Sequence, residues 1–185
     1  MRVSLYEVGK IAEEQKNDLW HKAEYVGVEP MIYLHWSAGH YGQSFTDYHF
    51  NIDEGGEIEM TTDDLCEVLR HTWQRNTGAI GIALECCAGA VVYEDENTYR
   101  ADLGDEPPTE MQIDCMVDLC AELCRSLGIP VKNIMTHEEA AIEDGYGLDD
   151  EDDCRWDLAI LREDEPWGSG GDTIRQMVKE KMEGM

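Results

Sequence analysis

Basic side chains are scarce in this sequence. Lys and Arg number 14 against 41 Asp and Glu, a formal net charge of −27 over 185 residues. Nucleic-acid phosphates and anionic membrane surfaces would both be repelled, so partners of that kind are excluded. Charge alone leaves open an acidic interaction protein that mimics nucleic acid, or plain solubility. Long hydrophobic runs are also missing. No apolar stretch approaches the ~20 residues that a membrane span needs, which argues against membrane insertion. Residues 1–10 are mixed and 10–22 highly charged, so the sequence predicts no signal peptide and synthesis in the cytoplasm. Cys-x-x-Cys pairs are absent. The seven cysteines are odd in number and Cys86 and Cys87 are adjacent, a usage that fits reduced thiols better than a disulfide framework. No internal repeat is present.

What is there suits a globular α/β chain. The length and the 42% hydrophobic content predict a single domain over 1–185, with a core over about 31–161 and terminal helices packed on it. Leu5, Val8, Ile11, Ala12, Leu19 and Ala23 fall at helical spacing and predict a helix over 3–26, ended by Gly27 and Pro30. The apolar run 31–34 predicts a buried strand that ends on His35, after which Trp36-Ser37-Ala38-Gly39 turns the chain. A strand over 48–52, a turn at Asp53-Glu54-Gly55-Gly56 and a partner strand over 57–60 predict a hairpin. Thr62 with Asp63 and Asp64 predicts a capped helix running to about Arg75, its inner face formed by Leu65, Val68, Leu69 and Thr72. Ala79–Leu84 is continuously apolar and predicts a central strand buried on both faces.

Residues 93–108 are polar and acidic and predict a long surface loop. Thr109 and Gln112 form a capping box ahead of a regular apolar stripe, which predicts a helix over Glu110–Leu127 stopped by Gly128 and Pro130. Cys120 and Cys124 lie on that stripe and read as small core residues. A short strand or extended link over 131–135 leads to Thr136-His137-Glu138-Glu139. Residues 143–153 read as an acidic loop whose spacing does not match an EF-hand. A compact segment over 154–161, a breaker-rich link over 166–171 and a last helix over 172–183, packed through Ile174, Met177 and Val178, complete the chain.

Three of these elements carry candidate metal ligands. His35 and His137 each follow an apolar run, and Asp157 sits in an otherwise apolar segment. One histidine at a strand end is more often a satisfied core residue than a ligand. A carboxylate among Trp156, Leu158 and Ile160 needs a partner, because an unpaired one is costly to bury. Two imidazoles and a carboxylate suit Zn²⁺ and leave a fourth position for water. The three lie far apart in the chain, so spacing alone does not decide.

Four strings in order carry more. They are Tyr33-Leu34-His35-Trp36-Ser37-Ala38-Gly39, Tyr48-His49-Phe50-Asn51-Ile52-Asp53, Asn76-Thr77-Gly78-Ala79-Ile80-Gly81-Ile82 and Ile134-Met135-Thr136-His137-Glu138-Glu139. Together they resemble the type-2 N-acetylmuramoyl-L-alanine amidases, a family that includes bacteriophage lysins and is related to the peptidoglycan recognition proteins. The Arg155-Trp156-Asp157-Leu158 ending is similar to that of phage and prophage members. The resemblance implies a mixed central β-sheet flanked by helices, with zinc in a groove at the sheet edge. It implies His35, His137 and Asp157 as the ligands, with Cys154 as rival for the third place. It implies Tyr48 beside the zinc, orienting water or donating a hydrogen bond to the oxyanion, with Arg155 where relatives carry a lysine. The glutamate of another branch aligns with Ala83 and is absent; Glu85, two residues on, is a weaker stand-in. His49 and His71 read as structural, and His40 as a candidate for the groove.

The implied function is zinc-dependent cleavage of the amide between N-acetylmuramic acid and L-alanine in peptidoglycan. Trp36, Tyr41 and Phe45 then read as groove walls or as core. The implied setting is a phage or prophage endolysin, made in the cytoplasm and acting on the bacterial cell wall, with wall recycling as the other setting. With only one helix after Pro166, no separate wall-binding domain is expected. A non-catalytic peptidoglycan-binding module is the alternative. The oligomeric state is not specified.

Overall fold

The computed structural model describes residues 1–96, 98–146 and 155–184. Eight strands are found among them: β1 Arg2–Val3, β2 Met31–Trp36, β3 Phe50–Ile52, β4 Ile58–Met60, β5 Ala79–Leu84, β6 Val91–Asp95, β7 Thr98–Asp102 and β8 Ile134–Thr136. Four α-helices accompany them: α1 Leu5–Tyr25, α2 Glu110–Leu127, α3 His137–Asp144 and α4 Gly170–Glu183. Six strands form one mixed sheet in the order β1-β4-β3-β5-β2-β8, and β6 and β7 form a separate hairpin. The expected α/β architecture, a mixed central sheet flanked by helices, is the one observed. No helix among the described residues is long and apolar enough to cross a membrane.

The alternation of side chains along β2 sets up everything that follows. Ile32, Leu34 and Trp36 turn to one face and join the main core with Ile80, Ile82 and Leu84 of β5 and the inner residues of α1 and α2. Met31, Tyr33 and His35 turn to the other face. There the parallel ladder sets Tyr33 opposite Gly81 and His35 opposite Ala83. Small residues on the central strand therefore leave room on this second face for imidazole rings. All six residues of β5 are buried, as a strand lying between β3 and β2 must be.

Local chemistry explains the helices. In α1, Ser4 and Glu7 form a capping box, so the helix starts at Leu5 and Val3 is left to pair in β1 against β4. In α2 the Gln112 amide N–H donates to Thr109 Oγ1 at 3.1 Å and the Thr109 N–H to Gln112 Oε1 at 2.9 Å, as its sequence predicts. The same Gln112 side chain donates through Nε2 to the carbonyls of Ile52 and Glu85, tying α2 to the ends of β3 and β5. Cys120 and Cys124 are buried in the core.

Three expectations are corrected. The stretch expected to be a helix from Thr62 to Arg75 is irregular. Four of its backbone N–H groups are taken by side chains: Asp64 by Thr62 Oγ1, Cys66 by Asp64 Oδ1, Leu65 by Gln15 Oε1 and Thr72 by Asn76 Oδ1. Such bonds compete directly with a helical ladder. The expected acidic loop over 93–108 holds the β6–β7 hairpin, in register from Val91 opposite Asp102 to Asp95 opposite Thr98. Its alternating Val, Tyr and Ala were hidden beneath an acidic composition. Finally, Glu143 and Asp144 end α3 rather than open a loop. The remainder of the expected acidic loop, 147–153, lies outside the described residues, as does Cys154.

Helix α4 starts two residues earlier than expected, at Gly170. A Cβ at Gly170 would stand 2.0 Å from the Leu158 carbonyl oxygen, and the Gly170 N–H donates to the Ala159 carbonyl at 3.0 Å. The end of α4 is thus set directly on the segment that carries Asp157.

Candidate metal centre

Three buried side chains from three remote parts of the chain meet on the second face of the sheet. His35 comes from β2, His137 is the first residue of α3, and Asp157 lies in the turn-rich segment after residue 154. Asp157 Oδ2 is 2.8 Å from His35 Nδ1, and Oδ1 is 3.2 Å from His137 Nδ1. One ligand atom from each residue can be chosen so that all lie within 4.8 Å of one another.

Each residue is held from behind. His137 is fixed by the capping box of α3, in which Thr136 and Glu139 exchange bonds of 3.1 and 2.9 Å. Arg175 of α4 grips the Glu139 carboxylate at 2.6 and 2.8 Å and also donates to the Ile134 carbonyl. The Glu138 N–H donates to the Asp157 carbonyl at 3.0 Å, which joins α3 to the third segment. The His35 and His137 rings meet edge to face, with centroids 4.8 Å apart.

Burial pulls the His35 imidazole below its ordinary value, against the opposing bond and charge of Asp157. Burial by itself would raise the Asp157 carboxyl. The charge and hydrogen bonds of His137 and His35 together outweigh burial and hold it well below the usual carboxylate range.

The donor set fits a divalent metal of the zinc type. Two imidazoles and one carboxylate, with no thiolate among them, are a mixed N/O set of the right softness. Both Nδ1 atoms converge on the carboxylate, and His137 Nε2 is buried with no hydrogen-bond partner. Cation binding at the converging atoms would satisfy a cluster that is otherwise acceptor-rich and buried.

The remaining sequence candidates divide. Tyr48 stands beside the cluster, its ring centroid 5.0 Å from that of His35. Burial first, then the Asp157 charge, pushes its phenol well up, so it keeps its proton. Arg155 packs over the Tyr146 ring at 4.9 Å and, with His137, lines a cavity of about 500 Å³ whose other walls include Arg70, His71 and Trp73. Glu85 lies past the end of β5 and takes the Ser44 hydroxyl at 2.6 Å. His40 is exposed and paired with Glu106 at 2.7 Å. Trp36 is no groove wall: it is buried in the main core against Trp156. Tyr41 is half-buried with its hydroxyl on the Pro107 carbonyl, and the Phe45 N–H is held by Asn51 Oδ1.

His49 is structural, as expected: Nδ1 accepts from the Gly81 N–H and Nε2 donates to the Glu67 carbonyl, both at 3.0 Å. His71 is not remote from the centre. Its ring lies edge-on to His35 at 5.3 Å and its Nε2 is buried without a partner. Reading 62–75 as a helix turned Thr72 into a core residue and hid this neighbourhood. Glu138 was missed as well. It is buried, and burial first, then the charges of Glu139 and Asp157, pushes its carboxyl up to about 7. The Thr136-x-x-Glu139 box was the available signal, since it commits Glu139 to capping and leaves Glu138 turned inward.

Two histidines and an aspartate near the edge of a mixed sheet, beside a tyrosine, form a buried cluster able to hold a metal ion. The family model for N-acetylmuramoyl-L-alanine amidases matches residues 15–154, and the chain belongs to that family. The match takes in His35 and His137 and stops short of Asp157. No curated protein matches the chain. Among solved structures, it is similar to the endolysin N-acetylmuramoyl-L-alanine amidase LysCS from Clostridium intestinale URNW. That likeness has 20% identity and a TM-score of 0.44, covering 60% of this chain and 70% of that one.

Proposed function

We propose that the chain is a zinc-dependent peptidoglycan hydrolase in which His35, His137 and Asp157 hold the metal. The observation that carries this reading is the convergence of three buried side chains, from segments far apart in sequence, to ligand atoms within 4.8 Å. Zinc held there supplies a nucleophile at neutral pH by lowering the pKa of water, and polarises a carbonyl.

The chain's own residues do the rest. Before metal uptake, Asp157 holds both imidazoles through its two oxygens, with their Nδ1 atoms turned to one point. The Tyr48 phenol, protonated at neutral pH, donates a hydrogen bond to the oxyanion that forms when the amide linking the lactyl group to L-alanine is attacked. The planar guanidinium of Arg155 supplies further donors from the cavity wall. Arg70 and Arg155 place positive charge in this cavity, although the chain as a whole is strongly acidic.

The Arg155-Trp156-Asp157-Leu158 ending supports a phage or prophage endolysin, made in the cytoplasm and acting on the cell wall. The test is incubation of the zinc-loaded protein with purified peptidoglycan, followed by mass analysis of the soluble products. Free stem peptides with a new N-terminal alanine are expected. Zinc uptake and wall binding without their release would favour the non-catalytic binding module.

A further inference from the structure

A side chain behind the cluster links His35 to a second histidine. Thr72 is buried, and its Oγ1 lies 3.5 Å from His35 Nε2 and 3.1 Å from His71 Nδ1. Its backbone N–H is fixed separately by Asn76 Oδ1 at 2.8 Å, so the hydroxyl is free to serve the two rings. His71 is seated against the central strand. A Cβ at Gly81 would stand 2.6 Å from two of its ring carbons, which explains a glycine inside an otherwise apolar strand.

The geometry points to Thr72 as a positioning residue for the metal centre, its hydroxyl selecting the proton position of His35 and passing that choice to His71. With no metal, the His35 Nδ1–H donates a hydrogen bond to the Asp157 carboxylate. Nε2 is then a bare acceptor, and the Thr72 O–H donates to it. When a cation takes Nδ1, that nitrogen must present its lone pair, so the ring proton resides on Nε2. The hydroxyl now accepts from Nε2–H and turns its own proton toward His71 Nδ1. A hydroxyl serves both states because it both donates and accepts. A methyl group serves neither, and leaves Nε2–H buried without a partner. This rests on the zinc reading above for the loaded state, but not for the metal-free one.

The test compares wild type with Thr72→Val, which keeps the shape, and Thr72→Ser, which keeps the hydroxyl. Zinc affinity is read by competition with a chromogenic chelator, and the His35 ring proton by ¹⁵N–¹H NMR of the metal-free and zinc-loaded proteins. Loss of an outer partner of a metal ligand costs about 10–100-fold in affinity. We expect a loss of about tenfold or more in Thr72→Val, recovered in Thr72→Ser, and altered His35 ring signals in metal-free Thr72→Val. Affinity and His35 signals unchanged in Thr72→Val would overturn the assignment. Should wild type take up no zinc, the hydrolase reading falls. The metal-free His35 signals then still decide: a change in Thr72→Val upholds the Thr72–His35 link, and no change removes it.

Discussion

His35 and Asp157 stand 122 positions apart and share a buried hydrogen bond of 2.8 Å. Neither is placed by its own neighbours in sequence. The bond exists because β2 and the segment under α4 are brought together by the rest of the fold. The first prediction follows from it. Wild type purified with zinc should hold about one ion per chain, as a three-ligand site does. Asp157→Ala should lose it, and Cys154→Ala should keep it. Elemental analysis of the three proteins is the check. Zinc lost only with Cys154→Ala would move the third ligand.

Tyr48 is the proposed oxyanion donor and is not among the proposed metal ligands. Tyr48→Phe should retain zinc while kcat on peptidoglycan falls by about 100-fold, the scale of losing one oxyanion donor. A variant of undiminished kcat would remove the phenol from the mechanism.

Gly81 has no space for a side chain. Gly81→Ala sets a methyl against the His71 ring, and overpacking of this kind costs about 1–3 kcal/mol. Urea unfolding should show a lower midpoint with an unchanged slope. An unshifted midpoint would mean that the His71 ring can move away freely.

His49 gives a pH dependence with a definite sign. Burial holds its imidazole down at about 4, against 6.5 ordinarily. The unfolded chain therefore binds a proton that the folded chain refuses. Stability from this site is complete above pH 6.5 and is lost as pH falls toward about 4, by roughly 3 kcal/mol in all. Urea unfolding across that window should show a shallower pH slope for His49→Gln than for wild type. Equal slopes would assign the effect to other groups.

Bacterial walls are anionic, and so is this chain at −27. Moderate salt, which shortens screening to about 8 Å at physiological strength, should raise activity on whole walls. A steady decline with added salt would show that attraction by Arg70 and Arg155 in the cavity outweighs the repulsion between the two bodies.

The sequence made some parts of this molecule readable and concealed others. Helix α2 was plain, because the Thr109–Gln112 box and the apolar stripe agree on one period. So were β2 and β5, whose burial on both sides leaves uninterrupted apolar runs. The proposed ligand set could be named only through resemblance, since no spacing rule joins residues 35, 137 and 157. The segment from Thr62 to Arg75 was misread because Thr, Asp and Asn there bond neighbouring backbone rather than cap a helix. That one error concealed His71 and Thr72 together. Helix α3 was passed over because two turns are too short to display an apolar stripe, although its capping box was in plain view.

Trp36, Trp156 and Trp167 form a continuous run of ring contacts, edge to face and then tilted, with centroids 5.0 and 5.9 Å apart, and Trp156 immediately precedes Asp157. Two of them are neighbours in sequence of His35 and Asp157. A shift of the third segment on taking up a cation would alter the surroundings of Trp156, and the emission of the unlabelled chain would report it above a background from Trp20 and Trp73.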